Sequence, residues 1–143
     1  MGPTTPVGAW STTSPYGNCE YPFNLPHLVS ASGATYVARW TILHLRELER
    51  SIAEALVKPG FSFIEVLSPC PAVYGRHNKL PRGLDEMKGY RERSVIRDGA
   101  DTKDVDISLD GPIVVGKFVD TDRPTLQDCY RQMLERARKQ RKQ

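Results

Sequence analysis

The chain has 143 residues, 39% of them hydrophobic and 26% charged, enough for one soluble domain with its own core. No apolar run approaches the length of a membrane span, and no basic-plus-apolar leader precedes the first strand candidate. Residues 136–143 hold five basic side chains and no acidic one; removing them from the net +3 leaves residues 1–135 at −2.

The basicity is therefore a tail property. It reads as a solvated helix end, where cations also suit the helix dipole, and argues against a nucleic-acid partner bound through a basic face. Cys19, Cys70 and Cys129 lie far apart without any Cys-x-x-Cys pair. That set fits a reducing cytoplasm better than a disulfide scaffold.

Along the chain, residues 1–24 are predicted to be irregular, since prolines at 3, 6, 15 and 22 forbid a long helix. Trp10, Tyr16, Tyr21 and Phe23 in this segment need something to pack against, so it reads as the continuation of a missing amino-terminal half. Residues 25–135 are assigned to the domain proper and 136–143 to the tail. A short helix is expected over 25–32, with Asn24 as its cap, Pro26 in its first turn and Gly33 as its stop. Thr35 to Trp40 has the β-branched and aromatic content of a strand. An amphipathic helix follows over 43–57, with Leu45, Leu48, Ile52 and Leu56 at helical spacing, and Pro59-Gly60 ends it.

The next strand, from Phe61, is expected to be buried on both faces on the strength of Ile64, Val66 and Leu67. Strand, helix and strand with short links make a βαβ unit, hence an α/β fold with a largely parallel sheet flanked by helices. Residues 72–110 read as loop, broken by a helix near 84–93. Residues 112–119 form another strand, and a last helix starts at Pro124 or Thr125.

The second strand stops at Ser68-Pro69-Cys70-Pro71. Each proline fixes φ and lacks an N–H, so a thiol stands in a stiff loop at the strand's carboxyl end, where ligands of open α/β sheets usually sit. A packed structural thiol is the alternative for Cys70. His27, His44 and His77 are scattered, and nothing completes a zinc set around Cys70 and His77. No phosphate loop, Gly-x-Gly-x-x-Gly, Gly-x-Ser-x-Gly or His-Glu-x-x-His is present.

Several segments then occur in a telling order: Pro3 to Ala9, Thr13 to Asn18, Gly33 to Trp40, Gly60 to Val66, Ser68-Pro69-Cys70-Pro71, Tyr74-Gly75-Arg76-x-Asn78, and Gly116 to Thr125. Over residues 3–135 the chain closely resembles the later half of the beta subunit of the archaeal-type 2-oxoglutarate:ferredoxin oxidoreductases, within the 2-oxoacid:ferredoxin oxidoreductases. The resemblance implies part of a thiamine diphosphate (TPP)-binding domain. It implies oxidative decarboxylation of 2-oxoglutarate to succinyl-CoA, with coenzyme A as acyl acceptor and ferredoxin reduced through iron–sulfur centres. The alpha subunit and the other subunits of the oxidoreductase are the implied partners.

By the same resemblance, Cys70 matches the fourth ligand of a [4Fe–4S] cluster whose other three cysteines belong to the amino-terminal half. Thr4 and Thr5 follow the place of the family's cofactor-contacting Thr-Gly-Gly-Gln segment; lining the TPP site and stabilising a loop are both open to them. Arg39 and Arg76 are candidates for the second carboxylate of 2-oxoglutarate, with a surface or intersubunit ion pair as the alternative. Cys19 and Cys129 match no ligand position and are read as structural. The family's Gly-Asp-Gly and Asn motif for Mg²⁺ and diphosphate is absent, as are the three cluster cysteines. The isolated chain is therefore expected to be inert and to bind none of these cofactors tightly. A noncatalytic interaction module derived from such a subunit is the alternative function.

Overall fold

Asn24 opens the first helix, α1 (Leu25–Ala31), by accepting the His27 N–H on its side chain, and Pro26 occupies the first turn as expected. Gly33 leaves the helix at φ +92°, in the left-handed region that glycine tolerates. The computed structural model describes residues 2–80 and 82–141; Lys142 and Gln143 of the basic tail lie outside the described residues. After α1 come β1 (Tyr36–Thr41), α2 (Leu45–Val57) and β2 (Ser62–Leu67). A π-type turn over Pro71–Gly75 leads to α3 (Gly83–Arg93), then β3 (Ser94–Ile96), β4 (Ile113–Asp120) and α4 (Leu126–Gln140).

The four strands form one sheet in the order β2-β1-β4-β3. The pairs β1–β2 and β3–β4 are parallel, while β1 and β4 run antiparallel with a register shift at Val37/Ala38. The βαβ unit read from the sequence is present. Strand β3 lies within the stretch expected to be loop and helix; three residues are too few to show a period.

Strand β1 is buried at every position because both faces of the sheet are covered. On one face Tyr36, Ala38, Trp40, Ile113 and Val115 pack with Leu48 and Ala55 of α2. On the other, Val37, Val105, Val114 and Phe118 pack with Val29 of α1. Each fully buried side chain of this size contributes about 1.5–3 kcal/mol. The Trp40 indole N–H donates to Ser51 Oγ at 2.7 Å, which explains a buried serine on the packed side of α2. Strand β2 departs from expectation. It is only half-buried, with Val66 43% exposed, because it forms an edge of the sheet among the described residues.

One charged side chain sits inside this core. Arg39 is 1% exposed, and its Nε donates to Glu65 Oε2 at 2.6 Å from the next strand. Its Nη1 donates to the carbonyls of Val105 and Val114. Nearer the surface, Lys117 Nζ bridges Glu54 (3.1 Å) and Asp120 (2.8 Å), and Lys58 Nζ reaches Asp120 at 2.7 Å. Hydrogen bonds from Lys117 hold Glu54 and Asp120 below the usual carboxylate range, with Lys58 adding to the effect at Asp120.

Two predictions follow from these ion pairs. Arg39→Met strands a buried carboxylate and is expected to cost about 3–5 kcal/mol in urea unfolding. Arg39→Met/Glu65→Leu is expected to recover part of that loss; equal instability of the single and double variants would contradict the pairing. The depressed carboxylates stabilise the fold above the ordinary carboxylate pKa, and that contribution is lost as pH falls through their lowered values. The urea midpoint is therefore expected to drop between about pH 6 and pH 3, and to drop less in Lys117→Met.

Candidate functional site

The loop leaving β2 is held by a buried carboxylate. Cys70 N–H donates to Glu86 Oε2 on α3 at 3.0 Å, and the Cys70 carbonyl accepts the Gly75 N–H at 2.9 Å. Glu86 is only 5% exposed, and its Oε1 has no hydrogen-bond partner. It lies so close to Gly75 that a Cβ there would strike Glu86 Oε1 and the Leu80 carbonyl. Glycine at 75 is thus what lets the carboxylate reach the loop. The Cys70 side chain itself is exposed in this chain.

The amino-terminal segment is tied to the same region. Asn78 accepts the Trp10 N–H at 2.9 Å and returns a bond to the Trp10 carbonyl at 2.9 Å, while Trp10 stacks on His77 at 3.4 Å between ring centroids. Asn18 Nδ2 donates to the Thr5 carbonyl at 2.8 Å, and the Phe23 N–H donates to the Pro3 carbonyl at 2.8 Å. Tyr16, Tyr21 and Phe23 remain exposed, so the partner their aromatic surface calls for is not within the described chain.

These restraints bring Thr4, Thr5 and Cys70 to one cavity of about 790 Å³, closed on other sides by α3 and by residues 107–110. Glu65, Asp85, Glu86 and Asp110 line it against a single guanidinium, Arg93. Arg93 Nη1 is already engaged by the Leu109 carbonyl. Burial, followed by the Glu86 charge, pushes the Tyr90 phenol up to about 12, and burial raises Tyr74 as well. Both phenols therefore stay protonated at neutral pH.

A diphosphate requires compensating positive charge, and this lining sets four carboxylates against one guanidinium that a carbonyl already engages. Among the described residues no three His, Cys, Asp or Glu side chains gather to hold a metal ion. The cavity as built by this chain does not fit thiamine diphosphate with Mg²⁺. Cys70 is the one thiol on the wall of this cavity.

The remaining candidates separate. Arg39 is committed to its buried pair with Glu65 inside the chain, so neither the oxo-acid role nor a surface ion pair applies to it. Arg76 is exposed just beyond the Cys70 loop. Cys19 and Cys129 are exposed rather than packed. His27 contacts Thr102 at 3.2 Å, His44 contacts Thr41 at 2.9 Å, and His77 is stacked on Trp10. Glu86 was not legible as a site residue because it sits on a polar helix; Gly75, eleven positions earlier, is the signal that something must approach closely.

No family model matches the chain. Individual relatives do. The 2-oxoglutarate synthase subunit KorB of Methanothermobacter marburgensis is 43% identical over 135 residues, covering 94% of this chain and 47% of that protein. The KorB subunit of Methanocaldococcus jannaschii is 42% identical over 139 residues, covering 96% and 51%. The structure of 2-oxoglutarate:ferredoxin oxidoreductase from Magnetococcus marinus, with 2-oxoglutarate, coenzyme A and succinyl-CoA bound, matches at TM-score 0.71 and 25% identity over 94% of this chain and 46% of that one. The chain thus spans about half the length of the relatives it matches. By sequence and by fold the chain is similar to about half of a 2-oxoacid:ferredoxin oxidoreductase beta subunit.

Proposed function

We propose that this chain forms one part of the beta subunit of a 2-oxoglutarate:ferredoxin oxidoreductase. In that reaction 2-oxoglutarate and coenzyme A give succinyl-CoA and carbon dioxide, and two electrons pass to ferredoxin. The observation that carries the reading is the match along nearly the whole chain to KorB subunits. The structure adds a cavity at the carboxyl end of β2, with Thr4, Thr5 and Cys70 on its wall.

The chain's own contribution is positional. Arg39 and Glu65 fix β1 and β2 together, Glu86 holds the Cys70 loop, and Asn78 holds the segment bearing Thr4 and Thr5. Thiamine diphosphate, Mg²⁺ and the remaining cluster ligands belong, on this reading, to the complementary half of the subunit. In the intact subunit Cys70 is the thiolate this chain gives to the cluster, and Thr4 and Thr5 face the cofactor. The alpha subunit, the other subunits and ferredoxin complete the enzyme. The cytoplasm is the proposed location, since all three cysteines are free thiols and no described helix is long and apolar enough to cross a membrane.

The chain alone is expected to give no ferredoxin reduction with 2-oxoglutarate, coenzyme A and thiamine diphosphate. Adding a polypeptide that supplies the other half, with the remaining subunits, is expected to restore it. Stable assembly with intact cofactors but no turnover would instead identify a noncatalytic module. In the restored enzyme Cys70→Ser is expected to weaken or abolish the iron–sulfur absorption and paramagnetic signals, because a hydroxyl is a poorer ligand than a thiolate. An unchanged cluster would remove Cys70 from the ligand set.

A further inference from the structure

We infer that the outer edge of β2 is a docking edge, completed by a parallel strand from the polypeptide that carries the other half of the relatives' length. The inference rests on the subunit reading above, but the chain's backbone supplies the argument. Phe61 and Leu67 direct their carbonyls to β1, accepting the N–H groups of Thr35 and Ile42 at 2.8 and 3.1 Å. Alternation along a strand then turns the N–H and C=O groups of Ser62, Ile64 and Val66 outward. Among the described residues no strand pairs with that side.

Natural edges are blunted by proline, lysine, a bulge or brevity. Strand β3, at the opposite edge, is three residues long. Strand β2 is six residues long and contains no proline and no lysine, and the sheet's register shift lies between β1 and β4 instead. Its one charge, Glu65, is spent inward on Arg39. Phe61 and Val66 are 49% and 43% exposed, and Leu56 and Val57 at the end of α2 are exposed as well. This edge is built to be covered.

The missing length identifies the occupant. The Magnetococcus marinus chain contains this fold within 46% of its length, so its remaining residues have no counterpart here. Of the two sheet edges, β2 is the one whose carboxyl end opens on the cavity holding Cys70. A strand added parallel to β2 would end at the same rim. The residues after it would then face the cavity, where one guanidinium meets four carboxylates and Cys70 is the one thiol of the lining. An antiparallel strand would deliver its carboxyl end to the far side of the sheet.

The test uses the full chain and, as a separate polypeptide, the portion of the Methanothermobacter marburgensis KorB subunit that the chain does not match. Association is measured by titration, and amide hydrogen exchange is read at β2. The Ser62, Ile64 and Val66 amides are expected to exchange freely in the lone chain and to slow by at least about tenfold in the mixture. Ile64→Pro removes an N–H that the chain's own sheet does not use. It is expected to weaken association at least about tenfold while leaving the lone chain folded. Should Ile64→Pro unfold the chain, Val66→Lys, which charges the edge through a half-exposed side chain, carries the same expectation. Failure of the wild-type chain to associate, unchanged association in the folded variants, or protection confined to other elements would overturn the inference. So would β2 protection already present in a dimer of the lone chain, which assigns the edge to a second copy. Association with β2 protection but no oxidoreductase activity in the full assembly would reject the enzyme reading and leave the docking edge standing.

Discussion

A guanidinium buried in the middle of the sheet is the constraint on which the rest is arranged. Arg39 joins the central strand to β2 through Glu65, and to the segments of Val105 and Val114 through their carbonyls. Removing a charge of this size from water costs several kcal/mol, and only satisfied donors on every side offset it. The pair therefore contributes less to net stability than to uniqueness: a one-residue slip of β2 against β1 would leave both charges buried alone. Correct register in turn sets where β2 ends, and thus where Cys70 stands.

The site inherits that placement and adds two restraints of its own. Glu86 occupies the Cys70 amide, so the loop is fixed from beneath and its thiol is turned to the open side. The Asn78 side chain engages both backbone polar groups of Trp10 much as a neighbouring strand would. Neither restraint supplies chemistry. Together they make an acidic cavity whose composition is wrong for an anionic cofactor.

Much of this was legible in the amino-acid order, and the exceptions have physical causes. The cap at Asn24, the stop at Gly33 and the period of α2 are local signals, and those elements formed where they pointed; the last helix, expected from Pro124 or Thr125, begins at Leu126 with Thr125 as its cap. Strand β2 read as doubly buried because Ile64, Val66 and Leu67 match a central strand; whether such a strand has neighbours on both sides is decided by residues elsewhere. Arg39 looked like a surface or ligand-binding charge because burial of an arginine depends on a partner 26 positions away and carbonyls 66 and 75 positions away. Thr4, Thr5 and Cys70 could be nominated by resemblance, yet their meeting at one cavity is a property of the fold.

The clasp between Asn78 and Trp10 carries a mechanical consequence. It lies between the strip of chain that holds the two threonines and the turn that follows the cysteine, so these parts form a single lever instead of two independent flaps. Any displacement imposed at one is felt at the other, and a ligand settling beside the hydroxyls would shift the sulfur with them.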